Sequence, residues 1–266
     1  MAGKRVALWF FGHGFRNRLA FEIGIRAMGG DVSFVPGELG VHEPLEDVGH
    51  YLQNWFSMIV VRTKSHIALE RVVEEVRVPV VNARTEYNHP CEIVGDLQYI
   101  RQRRGSLDGL NVVFIGEVTN LCRSWFEAAV SLPISVIQVA PEGYTLSAAG
   151  LRQVNAGARG MVSISNELFD AVRSATDVLY TDCWPRALDQ TEVGSAFLPY
   201  QVDTDLLARM NPAGVFLPCP PVTRGQEVSV EAMRSPLCLN YEAKEFLLHA
   251  QNAIMEFLFD AASKQV

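Results

Sequence analysis

An α/β fold built on parallel sheets is what this sequence predicts, and three observations point to it. Short β-branched runs alternate with longer amphipathic stretches from one end of the chain to the other, the pattern of right-handed strand–helix–strand crossovers. Of the 266 residues 48% are hydrophobic and 20% charged, so the chain can bury a core as one large domain or as two of roughly 130 residues each. Most of the conspicuous polar and glycine-rich clusters follow directly after a strand, where ligands bind in open parallel sheets.

Taken in order, Arg5–Phe11 reads as the first strand, and Asn17–Met28 as a helix with Phe21, Ile25 and Met28 at helical spacing. A strand at Met58–Val61, a helix at His66–Val76 and a strand at Val78–Asn82 come next, then a helix beginning near Cys91. The charged segment Arg101–Gly109 (RQRRGSLDG) is the expected internal boundary. Beyond it, strands fall at Val112–Ile115, Val136–Val139, Met161–Ile164, Val178–Thr181 and Val215–Leu217. Helices are expected at Leu121–Val130, Asn166–Ser174 and Asp203–Arg209, and Glu242–Ala262 closes the chain. There is no repeat and no low-complexity tract.

Several classes are disfavoured. A net charge of −7 argues against a duplex nucleic-acid binder, which needs a basic face to displace counterions. No apolar run approaches ~20 residues, so no membrane span is expected. The N-terminus has neither the apolar length nor the cleavage site of a signal peptide. The five cysteines (Cys91, Cys122, Cys183, Cys219, Cys238) are scattered without C-x-x-C spacing, which predicts reduced thiols in the cytoplasm and no zinc site.

The post-strand loops supply the candidate site. Gly12–Arg18 joins a strand to a helix, whose free N–H groups and positive end suit an anion, and Arg16 and Arg18 add charged donors. Arg62 ends the second strand, and His89-Pro90 opens a helix after the third. Gly116–Asn120, Asp182–Trp184 and Cys219–Gly225 follow strands in the second half. Each also fits a plainer role. Gly12–Arg18 could be a turn with surface arginines, Arg62 a rim residue, and His89 a structural hydrogen-bonder. Asp182 could be an N-cap and Cys219 a buried thiol.

Together these loops resemble the aspartate and ornithine carbamoyltransferases over nearly the whole chain, with a lean toward the ornithine branch. The family's Ser-Thr-Arg-Thr-Arg phosphate loop is framed here as Gly14-Phe15-Arg16-Asn17-Arg18, followed by Phe21-Glu22. Its His-Pro-x-Gln-x-Leu-x-Asp-Leu motif reads His89-Pro90-Cys91-Glu92-Ile93-Val94-Gly95-Asp96-Leu97. Gly116-Glu117-Val118-Thr119-Asn120 with Ser124-Trp125, then Tyr180-Thr181-Asp182-Cys183-Trp184, match its second-domain motifs. So do Pro218-Cys219-Pro220-Pro221 with Arg224-Gly225, and Leu248-His249-Ala250-Gln251.

The resemblance implies two domains, each a parallel sheet flanked by helices, with the active site in the interdomain cleft. Residues 1–104, completed by 242–266, would bind carbamoyl phosphate, and 105–241 an amino-acid-like acceptor. Gly14, Phe15, Arg16, Asn17, Arg62, His89 and Glu92 would line the carbamoyl-phosphate side, Arg62 and His89 being catalytic through the carbonyl oxygen. Asn120, Asp182, Arg186, Cys219, Pro220 and Arg224 would face the acceptor. An uncharged amine attacks, the oxyanion is stabilised, and phosphate leaves with the proton; no metal, cofactor or covalent enzyme intermediate is implied. A homotrimer is also implied, since family sites borrow residues from a neighbouring subunit.

The departures are specific. The loop loses its first serine and threonine to Gly14 and Phe15, side-chain donors each worth about 1–3 kcal/mol to a charged ligand, and its second threonine to Asn17. Glu92 replaces a glutamine, and Arg186-Ala187-Leu188 replaces the Ser-Met-Gly that contacts the ornithine α-amino group. Leu247 stands at the final-helix arginine. Glu38 and Pro44 stand at the glutamine and serine of the loop lent between subunits. The first strand begins almost at Met1, so the family's leading helix is expected to be missing. Three functions follow: a transferase with an altered acceptor, a different reaction with Glu92 as a general base raised by burial or as a partner for a cationic group, or a non-catalytic binder of a metabolite (a related phosphorylated one included) or partner protein.

Overall fold

The computed structural model describes residues 1–12, 14–185 and 195–263. In chain order its elements are β1 (Arg5–Phe10), α1 (Phe15–Ala27), β2 (Asp31–Pro36), α2 (Leu45–Trp55), β3 (Met58–Arg62), α3 (His66–Glu75), β4 (Val80–Arg84), α4 (Pro90–Arg104) and β5 (Asn111–Ile115). They continue with α5 (Asn120–Ser131), β6 (Ser135–Val139), α6 (Ala148–Asn155), β7 (Met161–Ser165), α7 (Leu168–Ala171), β8 (Val178–Thr181), α8 (Thr204–Leu207), β9 (Val215–Pro218) and α9 (Asn240–Ser263). Two compact units result: Met1–Gln98 with Lys244–Val266, and Tyr99–Ala243. The division falls inside α4, and the Arg101–Gly109 segment lies wholly in the second unit, its first four residues helical.

Among the described residues the first unit holds a parallel sheet ordered β2-β1-β3-β4. Side chains alternate between faces along each strand. Val6, Leu8, Phe10, Met58, Val60, Val81 and Ala83 pack with Phe21, Ile25, Cys91, Leu247 and Met255 on one face. Ala7, Trp9, Ile59 and Val61 pack with Leu45, Leu52, Leu69 and Val72 on the other. A sheet covered on both faces needs the near-continuous apolar runs seen at β1 and β3. The β3–β4 register slips at its end, from Val61↔Asn82 to Arg62↔Arg84, so two arginines become strand partners. Gly95 lets α4 approach α9 closely: a Cβ there would lie 3.1 Å from the Leu247 backbone.

The second unit holds a parallel sheet ordered β7-β6-β5-β8-β9. Val113, Ile115, Val139, Leu179 and Phe216 pack against Leu168, Val172, Leu206 and Met210. Trp125 on α5 meets Tyr180 edge-on at 5.5 Å, and Tyr180 stacks with Phe114 at 5.7 Å. Helix entries are capped as their sequences suggest, by Ser65, Thr119, Ser147 and Asp203, each accepting from a backbone N–H three residues on.

The expected strands all form, shifted by up to two residues at their ends. Two expected helices shrink to single turns: Asn166–Ser174 is helical only over Leu168–Ala171, and Asp203–Arg209 only over Thr204–Leu207. β2, α2 and α6 were not expected. None of the five cysteines forms a disulfide, and among the described residues no helix is long and apolar enough to cross a membrane.

Candidate active site

All strands of the first sheet run parallel, so the loops after β1, β3 and β4 share one edge. There α1 begins: its ladder starts with Arg18 N donating to Gly14 O at 3.0 Å, leaving the first-turn amides and the positive helix end at that edge. Arg62 crosses Gly14 so closely that a Cβ on Gly14 would lie 2.5 Å from Arg62 Nε and 2.6 Å from Cζ. Its Nε is buried without a hydrogen-bond partner. Burial pulls the Arg62 pKa down to about 10, with Arg84 and Arg16 adding to the effect and Glu92 opposing it; the group stays cationic at neutral pH. Among the described residues no carboxylate lies within ion-pair distance of Arg62 or Arg84.

His89, also buried, has its pKa pushed down to about 4, first by burial, then against the pull of Glu92 by Arg62, Arg84 and Lys244. It is a neutral imidazole at pH 7, able to donate from one ring nitrogen. Glu92 Oε2 lies 3.8 Å from His89 Nε2, while Glu92 Oε1 is 2.7 Å from Lys244 Nζ. The same ammonium reaches Asp96 Oδ1 at 3.0 Å and Oδ2 at 3.3 Å. Burial alone would raise the Glu92 pKa, but Lys244, His89 and Arg16 outweigh it and hold the carboxylate well below its ordinary range.

Two expected anion donors are spent elsewhere. The Asn17 side chain is buried: Nδ2 donates to Ala83 O at 2.9 Å, and Oδ1 accepts from Gln251 Nε2 at 3.1 Å. Position 17 shares the buried face of α1 with Phe21, Gly24 and Ile25. Arg18 pairs with Glu22 at 2.6 Å and lies over the Phe34 ring. Phe15 is exposed, with the Arg16 guanidinium 4.9 Å from its ring centroid.

In the second unit the loops after β5, β8 and β9 share the carboxyl edge of their sheet. Asn120 is buried in the first turn of α5. Asp182 is buried, its Oδ1 accepting from Cys183 N at 2.8 Å. Burial and the nearby Asp182 charge raise the Glu117 pKa. Cys219 N donates to Thr181 O at 2.8 Å, tying the β9 loop to the β8 end. Pro220 is half-buried and Arg224 exposed. Glu227 staples these loops, accepting from Trp184 N at 2.9 Å and Thr223 N at 2.7 Å. Arg186 lies outside the described residues. Among the described residues no cluster of His, Cys, Asp and Glu is placed to hold a metal.

Comparison with known proteins gives matches of both units to one family. Residues 1–102 match the carbamoyl-P binding domain of aspartate/ornithine carbamoyltransferase, and residues 108–258 match its Asp/Orn binding domain. The chain belongs to the aspartate/ornithine carbamoyltransferase family. Ornithine carbamoyltransferase from Chlorobaculum tepidum is 33% identical over 258 residues, 95% of this chain and 76% of that protein. That of Hydrogenovibrio crunogenus is 33% identical over 98% of this chain and 87% of its own. The Pyrococcus furiosus ornithine carbamoyltransferase structure superposes with a TM-score of 0.89 at 28% identity, covering 96% of this chain and 84% of that one.

Three of the positions that depart from the family pattern have a local counterpart in the fold. Where the family has serine, Gly14 yields its space to Arg62. Where it has glutamine, Glu92 is matched by Lys244. Leu247, at the place of the final-helix arginine, is core. Three residues of the site went unnoticed in the sequence: Arg84, Lys244 and Glu227. Arg84 depends on the register slip beside Arg62, and Lys244 is 148 residues from Asp96 in sequence, so neither leaves a local signal. Glu227 does lie two residues beyond the Arg224-Gly225 match.

Proposed function

We propose that this protein transfers the carbamoyl group of carbamoyl phosphate to the amine of an amino-acid-like acceptor. The observation that carries the reading is the pairing of a half-buried, cationic Arg62, its Nε buried without a partner, with a neutral, buried His89 beside the α1 N-terminus. The phosphate lies at the first turn of α1 under Arg16 and Arg62. Arg62 and His89 donate to the carbonyl oxygen. A neutral imidazole suits that role, because it donates without surrendering its proton and strengthens its bond as the oxygen becomes an oxyanion. The uncharged acceptor amine attacks the carbonyl carbon, the C–O bond to phosphate breaks, and phosphate departs carrying the proton released by the amine. The protein contributes positioning and preorganised charge.

Asn120, Asp182 and Cys219 are the acceptor-side residues in this reading. The acceptor differs from plain ornithine, since Arg186-Ala187-Leu188 stands where the ornithine-contacting residues would be, and an arginine there suits an added carboxylate or phosphate. A general-base role for Glu92 is not favoured: its pKa is lowered by Lys244, not raised, and a strongly acidic carboxyl is a weak base. The assembly this reading implies is a homotrimer in the cytoplasm. Incubation with carbamoyl phosphate and a panel of amino acids and diamines should yield one ureido product, and Arg62→Met or His89→Asn should cut its rate by about 100-fold or more. The reading fails if no acceptor gives a ureido product and calorimetry detects no carbamoyl-phosphate binding.

A further inference from the structure

We propose that Arg84 is an additional ligand of the phosphate group, working with Arg62 to replace the hydroxyl donors that Gly14 and Phe15 no longer supply. The inference rests on the phosphate-site reading above and adds a residue to it. The geometry begins with the slip in the β3–β4 ladder, which skips Ala83 and makes Arg62 and Arg84 direct partners at the carboxyl ends of their strands. Thr63 N donating to Arg84 O at 3.0 Å holds the two strand ends together beyond that pair. Both arginines are half-buried, and among the described residues neither has a carboxylate in ion-pair range. Adjacent like charges without a counterion are unfavourable in a partly desolvated site. A fold that keeps them has a use for the field they make, and a phosphoryl dianion supplies the missing charge.

Two further observations agree. Arg84 is the largest electrostatic neighbour depressing Arg62, ahead of Arg16, and it also bears on His89, so its charge is felt at both carbonyl-facing groups. And Arg62 passes so close over Gly14 that a Cβ there would lie 2.5 Å from its Nε, so the guanidinium occupies the space a side chain at position 14 would take. The site thus recognises a phosphate dianion by clustered guanidinium charge and helix amides, with fewer hydroxyl contacts.

The test is calorimetric titration of inorganic phosphate into the full-length wild type, Arg84→Met and Arg84→Lys, at low and high salt, with a thermal melt of each unliganded protein. Arg84→Met should bind phosphate about 10- to 100-fold more weakly, with a shallower dependence on salt, and Arg84→Lys should recover part of the loss. Unliganded Arg84→Met should melt at or above the wild-type temperature, because a repulsive neighbour of Arg62 is gone; a purely structural arginine would give the opposite. Wild-type-like phosphate affinity in Arg84→Met overturns the assignment while leaving the site itself intact. So does a loss of binding that accompanies a melting temperature several degrees lower. Absence of phosphate binding by the wild type, with no ureido product, removes the site reading and this assignment together.

Discussion

Replacing Lys244 with methionine removes the cation that touches both Glu92 and Asp96. The ammonium lies 2.7 Å from Glu92 Oε1 and 3.0 Å from Asp96 Oδ1, and the side chains are 14%, 9% and 1% exposed respectively. Coulomb's law at an effective dielectric of about 20 gives each contact roughly 5–6 kcal/mol of gross attraction. Most of that is cancelled by the desolvation of three ions, so the quantity to expect is the cost of orphaning buried carboxylates, about 3–5 kcal/mol. Against a domain stability of about 5–15 kcal/mol, Lys244→Met should lower the melting transition of the first unit by about 10 °C or more. The pH dependence should change sign. In the wild type Glu92 has a lowered pKa, so its stabilisation is present above the unfolded value and lost as pH falls through the folded one. Without Lys244, burial dominates and raises the pKa, so the variant's deficit should shrink on acidification toward pH ~5. Adding Glu92→Gln should restore much of the loss by making one orphan neutral. Calorimetric melts of the four proteins of this cycle are the assay. A Lys244→Met transition within a degree or two of wild type, or no rescue by Glu92→Gln, would refute the argument that this ion triad compensates for the glutamate.

Two more outcomes follow from the same edge of the sheet. Gly14→Ser restores the family's hydroxyl but puts a Cβ 2.5 Å from Arg62 Nε. The flexible guanidinium must move, so carbamoyl-phosphate affinity should fall about 10-fold with little change in melting temperature; tighter binding in a titration would show that the glycine is incidental. His89, with a pKa of about 4 in the fold against about 6.5 unfolded, is protonated more in the unfolded chain. Its contribution of about 3 kcal/mol is therefore present above pH ~6.5 and lost as pH falls through 4. Denaturant melts of His89→Asn should have a flatter slope between pH 6.5 and 4.5, and an unchanged slope would contradict a neutral buried imidazole.

The sequence made the central strands legible because they are buried on both faces and read as β-branched runs, as at Met58–Val61. β2 escaped because it is an edge strand with Asp31, Ser33 and Phe34 exposed and a proline at its end. The ordered motifs pointed to Arg16, Arg62, His89, Asn120, Asp182 and Cys219, which lie at strand ends or in the loops and first helical turns that follow them. They gave no view of what compensates the departures, since compensation is a matter of distance across the fold. Lys244 answers Glu92 from α9, and Arg62 answers Gly14 from β3. Asn17 combines a donor's residue type with a spacing of four from Phe21 and eight from Ile25 that places it on the buried face of α1.

The most direct test of the account is to follow phosphate release and ureido product in one incubation of the wild type with carbamoyl phosphate and an acceptor panel, above the protein-free rate. The account predicts both, in one-to-one ratio, for one acceptor, and the loss of both in Arg62→Met. Phosphate release with no ureido product, or neither with any acceptor, would contradict it.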